Sequence, residues 1–384
     1  MSTSVPRTSV KETALDRALF PVTQEWVYCD HAAVGPLPLP ARDAVARVLD
    51  AQMRAGTAGI LHIEARKGEI RDRVATAIGA APQEIAFMRA TSDGALLVAN
   101  GLDWRPGDEI ILSDDEFGAN SYPWLNLRRR GISTLLVRAP QARLTVETLE
   151  RLRTPRTRLV AVSYVGFSDG YRHDLAAIGD WCRRRGVLFA VDAIQGFGPL
   201  PLDLGAWHVD FCSFGVAKWL LSPQGLSVVY VRREHIDRLG PAMLSWRSVR
   251  DPMRFLDYAQ ELDPAAARFE GGTISYSALM GFGESLRILA QAGFENIERY
   301  VLGLNECLIH RAREARIGVL SSTQPGTRSG IVLLDRGGRS VDALQRRAAD
   351  LKIAVTIRDN GIRVAPHGYN IEREIDAVVE MVAG

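Results

Sequence analysis

Two ionisable residues stand where their neighbours make them reactive. Asp192 closes the very apolar run Phe-Ala-Val-Asp at 189–192, and Lys218 follows the next apolar run, among apolar neighbours. A carboxylate at the end of a buried strand is costly unless a cation or a hydrogen-bond donor meets it. A protonated pyridine nitrogen would do so, and that ion pair would make the ring a better electron sink. An amine among apolar side chains loses proton affinity, which frees it to attack a carbonyl. A third segment, Arg-Ala-Thr-Ser-Asp-Gly-Ala at 89–95, follows an apolar run and opens a helix. The free amides of a helix N-terminus, joined by the hydroxyls of Thr91 and Ser92, suit a phosphate. Each segment also has a plainer reading: Asp192 as a helix cap, Lys218 as a snorkelling lysine at a domain edge, and Thr-Ser-Asp as an ordinary N-cap. Together they supply an anion cup, an acid for a ring nitrogen and a carbonyl-seeking amine, the features that hold pyridoxal 5'-phosphate.

Lysines are scarce enough to be weighed singly, since only Lys11, Lys67, Lys218 and Lys352 occur among 47 basic residues. Lys11 lies in a polar tail, Lys67 in the charged run 64–73, and Lys352 ahead of a late strand. Lys218 alone has the right setting.

The elements that must position these groups follow a regular alternation. Short runs rich in Val, Ile, Leu and Phe occur at 84–89, 109–113, 133–138, 159–165, 187–193, 211–214 and 227–231. They lack strict polar alternation, as strands buried on both faces do. Helical stretches lie between them, such as 174–185, whose end is marked by three arginines and Gly186. The pattern predicts an α/β fold with a mostly parallel seven-stranded sheet, in which ligands bind beyond the carboxyl ends of the strands. After about residue 275 the pattern changes to helices at 277–291 and 297–315, a segment at 330–334, helices at 341–351 and 372–382, and short strands at 353–357 and 362–364. This divides the chain into a large domain at 20–275 and a small α+β domain at 276–384, with residues 1–19 packed on the latter.

The totals exclude several classes. The 384 residues suffice for a large core, and the composition is ordinary for a globular protein, with 47% hydrophobic and 24% charged residues. A net charge of +2 without a basic stripe argues against nucleic-acid binding. No run is apolar enough to span a bilayer, and the polar start lacks a signal-peptide core. Cys29, Cys182, Cys212 and Cys307 are widely spaced, which suggests no metal site and no disulfide framework and fits a reducing, cytoplasmic setting. A nucleotide-dependent oxidoreductase is disfavoured because neither GxGxxG nor GxxxxGK is present.

Beyond these three sites, the chain resembles the class V aminotransferase and cysteine desulfurase branch of the fold type I pyridoxal-phosphate enzymes over nearly its whole length. The resemblance rests on Tyr-Cys-Asp-His-Ala-Ala-Val-Gly-Pro at 28–36, Asp-Glu-Phe-Gly-Ala-Asn-Ser-Tyr-Pro-Trp at 115–124 and Val-Ser-Tyr-Val at 162–165. It continues through the Asp192/Gln195 and Lys218-Trp219 segments, Arg-Phe-Glu-Gly-Gly-Thr at 268–273 and Ile-Arg-Val-Ala-Pro-His-Gly-Tyr-Asn at 362–370. It implies that Lys218 forms the Schiff base and carries the substrate α-proton, and that Asp192 pairs with the ring nitrogen. Gln195 would bond the phenolic oxygen, Phe117 would stack on the ring where many relatives use histidine, and Ser163 would join the cofactor contacts. Thr91 and Ser92 would hold the phosphate together with Thr273 from the partner subunit, so the site would lie at the interface of a homodimer. Arg363 would clamp a substrate carboxylate, with His31 and Ala33 lining the substrate side.

The departures from that pattern are informative. Many relatives carry Ser-Gly-His before the lysine, whereas Gly215, Val216 and Ala217 stand here, so two phosphate contacts are missing. Desulfurases carry a mobile cysteine ahead of the terminal arginine motif, and residues 356–363 contain none. The sequence therefore suggests an aminotransferase acting on a small amino acid. A carbon–sulfur lyase or an epimerase, of the isopenicillin-epimerase-like kind, is the alternative, and a catalytically silent relative comes third.

Overall fold

The structure is a computed structural model and describes residues 13–139, 143–240 and 243–384. Seven strands form its main sheet: β1 (Ile85–Met88), β2 (Glu109–Ser113), β3 (Ser133–Val137), β4 (Thr157–Ser163), β5 (Leu188–Asp192), β6 (Phe211–Gly215) and β7 (Ser227–Val231). Their order across the sheet is β1-β7-β6-β5-β4-β2-β3, and β7 alone runs antiparallel to its neighbours. Every residue of β1, β2 and β7 is buried, which explains why these strands read as continuous apolar runs rather than alternating ones. The two-residue period survives in the packing. Val160, Val162, Phe189 and Val191 belong to one hydrophobic core, whereas Leu159, Ala161 and Ala190 belong to another, so each face of the sheet has its own core.

Helices cover both faces: α1 (Leu39–Ala55), α2 (Lys67–Ala77), α3 (Thr91–Gly101), α4 (Leu175–Arg185), α5 (Tyr276–Ala292) and α6 (Phe294–Glu314). The Asp174 side chain caps α4 at Ala177, and the helix stops at Gly186 after its three arginines, as the sequence predicts. The helix that opens the segment expected to form the small domain, α5, packs with the large core. Leu279, Phe282 and Leu286 of α5 are buried in the large core. Helix α6 makes the passage, with Phe294, Ile297 and Val301 in that core and Tyr300, Leu304 and Leu308 in the core of the smaller unit.

The smaller unit holds an antiparallel sheet of β8 (Val332–Leu334), β9 (Thr356–Arg358) and β10 (Gly361–Val364) in the order β9-β10-β8, with helices α7 (Val341–Asp350) and α8 (Glu372–Ala383). The single strand expected at 353–357 divides: Ile353–Ala354 pairs in parallel with Val27–Tyr28, and Thr356 begins β9. The N-terminal tie lies partly outside the described residues, but the Leu15 amide donates to the Gly368 carbonyl at 2.9 Å and Arg17 pairs with Glu374 at 2.6 Å.

Lys67, read in the sequence as one member of a charged run, is buried. Its ammonium pairs with Glu270, whose other oxygen accepts from Arg71 at 2.6 Å and from the Phe87 amide at 3.0 Å. One carboxylate thus joins α2, β1 and the 268–273 segment. Removing it would leave a buried ammonium without a counter-charge. Glu270→Ala should lower the unfolding free energy by about 3–5 kcal/mol in chemical denaturation; a variant as stable as the wild type would show that the cluster does not hold these elements.

Candidate active site

Parallel register places three polar residues side by side at the carboxyl edge of the sheet. Ser163 ends β4 opposite Asp192, which ends β5, and Asp192 in turn lies opposite Ser213 of β6. Lys218 follows the end of β6 by three residues. Helix α3 begins at Thr91, with Ala90 as a cap that offers no side-chain bond, and the Asp93 carboxylate accepts from the amides of Arg89 and Ala90 at 3.0 and 3.3 Å. Thr91 and Ser92 are therefore the first residues inside the helix, where amides have no partner within the helix itself.

A β-carbon at Gly215 would stand 3.0 Å from the Thr91 hydroxyl and 3.3 Å from Ile194, so the end of β6 packs tightly against the start of α3.

Burial controls the electrostatics of this edge. It pushes Lys218 down to about 8; Asp192 opposes the shift and Arg363 adds to it. Burial pushes Asp192 up to about 6, partly offset by the Ile194 amide, which donates to its Oδ1 at 2.9 Å, and by Lys218. Among the described residues the other oxygen of Asp192 makes no bond. A buried carboxylate with one oxygen unspent, facing a half-buried lysine, fits a ring that brings its own N–H+. The Lys218 ammonium lies 5.8 Å from the centroid of Phe117, whose ring packs edge-on against Phe167 at 5.3 Å.

Arg363, on β10, is 5% exposed. It donates to the Phe167 carbonyl at 2.9 Å and the Thr356 hydroxyl at 3.0 Å, and Asp30 lies 3.5 Å away. The Thr356 hydroxyl donates to Asp30 at 2.7 Å, which closes the group.

Several expected contacts fall elsewhere. The Ser163 hydroxyl and amide are both directed to Glu116, the amide at 2.7 Å, rather than left for a cofactor. Both ring nitrogens of His31 are engaged, with the Ala365 carbonyl and the Tyr369 hydroxyl, each at 2.8 Å. His31 therefore ties the opening segment to residues 365–369 and offers no free ring nitrogen to a substrate. Ala33 is half-buried in the turn that follows, its amide on the Asp30 carbonyl at 2.9 Å. Thr273 is exposed in a small cleft with Met88, Arg89 and Asp93, apart from Lys218. Gln195 is buried between Ala32 and Trp219.

The sequence reading missed Glu116, which burial pushes up to about 7, with Asp192 raising it further and the Ser163 and Asn120 bonds opposing. Its place at the end of β2, beside Phe117, was the available signal. It also missed Asp30 and Thr356, which only the fold brings to Arg363. One group of metal-ligand type occurs among the described residues, Asp210, Glu234 and His235, at the opposite end of β6 from Lys218; Arg232 already lies 3.3 Å from Asp210.

The depressed Lys218 gives a pH dependence of definite sign. The neutral, nucleophilic amine predominates above about 8, so capture of added pyridoxal phosphate by cofactor-free protein should accelerate as pH rises through that value. Asp192→Asn removes the charge that retains the proton and should move the midpoint lower. Stopped-flow absorbance would read both, and a midpoint at the ordinary lysine value would show that burial leaves the amine unchanged.

A family model described as Aminotransferase class-V matches residues 27–364. The chain is 28% identical over 370 residues to the uncharacterized aminotransferase YcbU of Bacillus subtilis, with 96% of each chain covered. It is 28% identical over 392 residues to a probable cysteine desulfurase of Methanothermobacter thermautotrophicus, with 95% of this chain and 96% of the relative covered. It superposes with a TM-score of 0.87 and 25% identity on a lysine mutant of C-DES that carries glycine covalently linked to its PLP cofactor, covering 96% of this chain and 99% of that one. With these matches and the edge just described, the chain belongs to the class-V aminotransferase family and is a pyridoxal-phosphate-dependent enzyme.

Proposed function

We propose that this enzyme transaminates a small α-amino acid whose carboxylate is received by Arg363. The observation that carries the reading is the convergence of Lys218, Asp192 and Arg363, close enough for both of the latter to alter the proton affinity of the lysine. When bound, the cofactor withdraws electrons from the bond broken at the α-carbon. Asp192 would hold the ring nitrogen charged, and Lys218 would carry the α-proton between donor and acceptor positions. Thr91 and Ser92 would receive the phosphate, Gln195 would donate to the phenolic oxygen, and Phe117 would shield one face of the ring from water.

Carbon–sulfur lysis is the second reading. It is supported by the likeness to C-DES, called a cystine C-S lyase in another of its solved structures. A persulfide-forming desulfurase fits less well. The β9–β10 hairpin contains no cysteine; Cys29, Cys182 and Cys212 are buried, and Cys307 is half-buried on α6. Four unpaired thiols also accord with a cytoplasmic location. No helix among the described residues is long and apolar enough to cross a membrane.

The reading extends to a homodimer. An open cavity of about 760 Å³ begins at Ser92 and Phe117 and runs out over Leu96 and Tyr122, of which Tyr122 is 72% exposed. A second copy seated there would cover this apolar rim and could bring its own Thr273 to the phosphate.

Two experiments test these proposals. The purified wild type should show a visible cofactor band that Lys218→Ala alters, and one amino acid from a panel should shift it. Release of the matching keto acid with retention of the amino group on the cofactor supports transamination. Pyruvate with ammonia and a sulfur product favours lysis, and a protein that stays colourless with added cofactor overturns both. Sedimentation velocity should give a dimer that Tyr122→Asp shifts toward monomer with loss of cofactor; a monomeric, cofactor-retaining wild type would defeat the dimer proposal.

A further inference from the structure

We infer that Trp219 is a positioning residue that fixes the side-chain amide of Gln195 so that it can offer only an N–H to the cofactor's phenolic oxygen. The inference rests on the proposed contact between Gln195 and that oxygen, and it concerns what determines the polarity of the contact. An amide side chain can present either its oxygen or its nitrogen, and a flip exchanges an attractive contact with an ionised oxygen for a repulsive one.

Two bonds remove the choice here. The indole nitrogen of Trp219 is a donor only and lies 2.9 Å from Gln195 Oε1; the Ala32 carbonyl is an acceptor only and lies 3.0 Å from Gln195 Nε2. Both demands give the same orientation, so the assignment does not depend on telling nitrogen from oxygen. The oxygen of Gln195 is engaged by Trp219. The nitrogen has two hydrogens, and among the described residues only the bond to Ala32 uses one. What is left for a ligand is a donor.

Trp219 is itself held in a fitted socket. Its ring is fully buried, and its carbonyl accepts from His367 Nε2 at 3.0 Å. The Gly368 amide donates to His367 Nδ1 at 2.7 Å, which places the ring proton of His367 on Nε2, facing Trp219. Two glycines from distant segments make room. A β-carbon at Gly330 would stand 2.7 Å from the far edge of the indole, and one at Gly198 would stand 2.8 Å from the Trp219 β-carbon. His31 stacks on the indole at 5.8 Å. A ring so constrained directs its N–H at one point, and Gln195 is there. The residue next to Lys218 therefore acts with the Ala32 carbonyl to set the dipole that Gln195 would present to the cofactor.

The test is a pH titration of the visible band in holoenzyme carrying Trp219→Phe, Trp219→His, Gln195→Ala or the Trp219→Phe/Gln195→Ala pair. Circular dichroism and cofactor stoichiometry serve as controls for folding. An ionised oxygen that loses a donor becomes more basic and retains the neighbouring proton to higher pH. Trp219→Phe should raise the midpoint by about one pH unit, and Trp219→His, whose ring can still donate, should raise it less. Trp219→Phe should add nothing in the Gln195→Ala background. If the Phe variant does not accumulate as holoenzyme, Trp219→His in the two Gln195 backgrounds makes the same comparison. A shift in Gln195→Ala with none in the Trp219 variants, or an equal Trp219 shift in both backgrounds, overturns the positioning role. An unshifted Gln195→Ala overturns instead the reading that Gln195 meets the phenolic oxygen.

Discussion

The cost of keeping the Asp192 carboxylate away from water governs the arrangement around it. A charge at the end of a buried strand can be sustained only if its surroundings return what solvation would have supplied. The protein returns part of it, through the Ile194 amide and the charge of Lys218, and leaves the carboxylate with proton affinity raised and one oxygen unspent. That incomplete compensation is what a cationic ring nitrogen can finish. Lys218 carries the complementary deficit, since the burial that raises Asp192 lowers the lysine. Each group is held short of its preferred environment by the same sheet edge, and each restrains the other from drifting further.

The sheet makes this possible through register. Because β4, β5 and β6 are parallel, the last residues of β4 and β5 meet Ser213 near the end of β6, and Ser163, Asp192 and Ser213 become neighbours without any loop having to bring them together. The remaining parts are delivered by long connections. The opening segment crosses to the smaller unit through Val27–Tyr28 and His31, and it is pinned beside the lysine by the bond from the Gly35 amide to the Ala217 carbonyl at 2.8 Å. Arg363 arrives from β10 in the smaller unit. The site thus joins a rigid edge to a second body whose position is set by hydrogen bonds between distant segments.

This division explains what could be read from the residues alone. The seven strands and the buried settings of Asp192 and Lys218 were legible because each depends on local pattern: apolar runs, the residue that ends them, and the scarcity of lysine. The partners of polar side chains were not. Nothing near Ser163 in the chain indicates that Glu116 takes its hydroxyl, and nothing near His31 indicates that Ala365 and Tyr369 take its two nitrogens. Lys67 looked solvated because its helix is rich in charge, yet its counter-ion lies in the 268–273 segment. The packing of α5 was not legible for a related reason, since its amphipathic pattern shows that it has a buried face but not which core receives it.

The setting of Arg363 carries a consequence for ligand choice. Its guanidinium is already engaged by the Phe167 carbonyl, the Thr356 hydroxyl and Asp30. A ligand entering here competes with bonds that exist, so its gain is the difference between two bonded states rather than the full strength of a new ion pair. A partner with two coplanar oxygens can match the fork and recover more than it displaces. One that presents a single oxygen, or a neutral amide, recovers less. In the proposed role, the arginine would behave as an exchange surface with a threshold, sacrificing raw affinity to reject molecules that resemble the ligand in size but not in charge and shape.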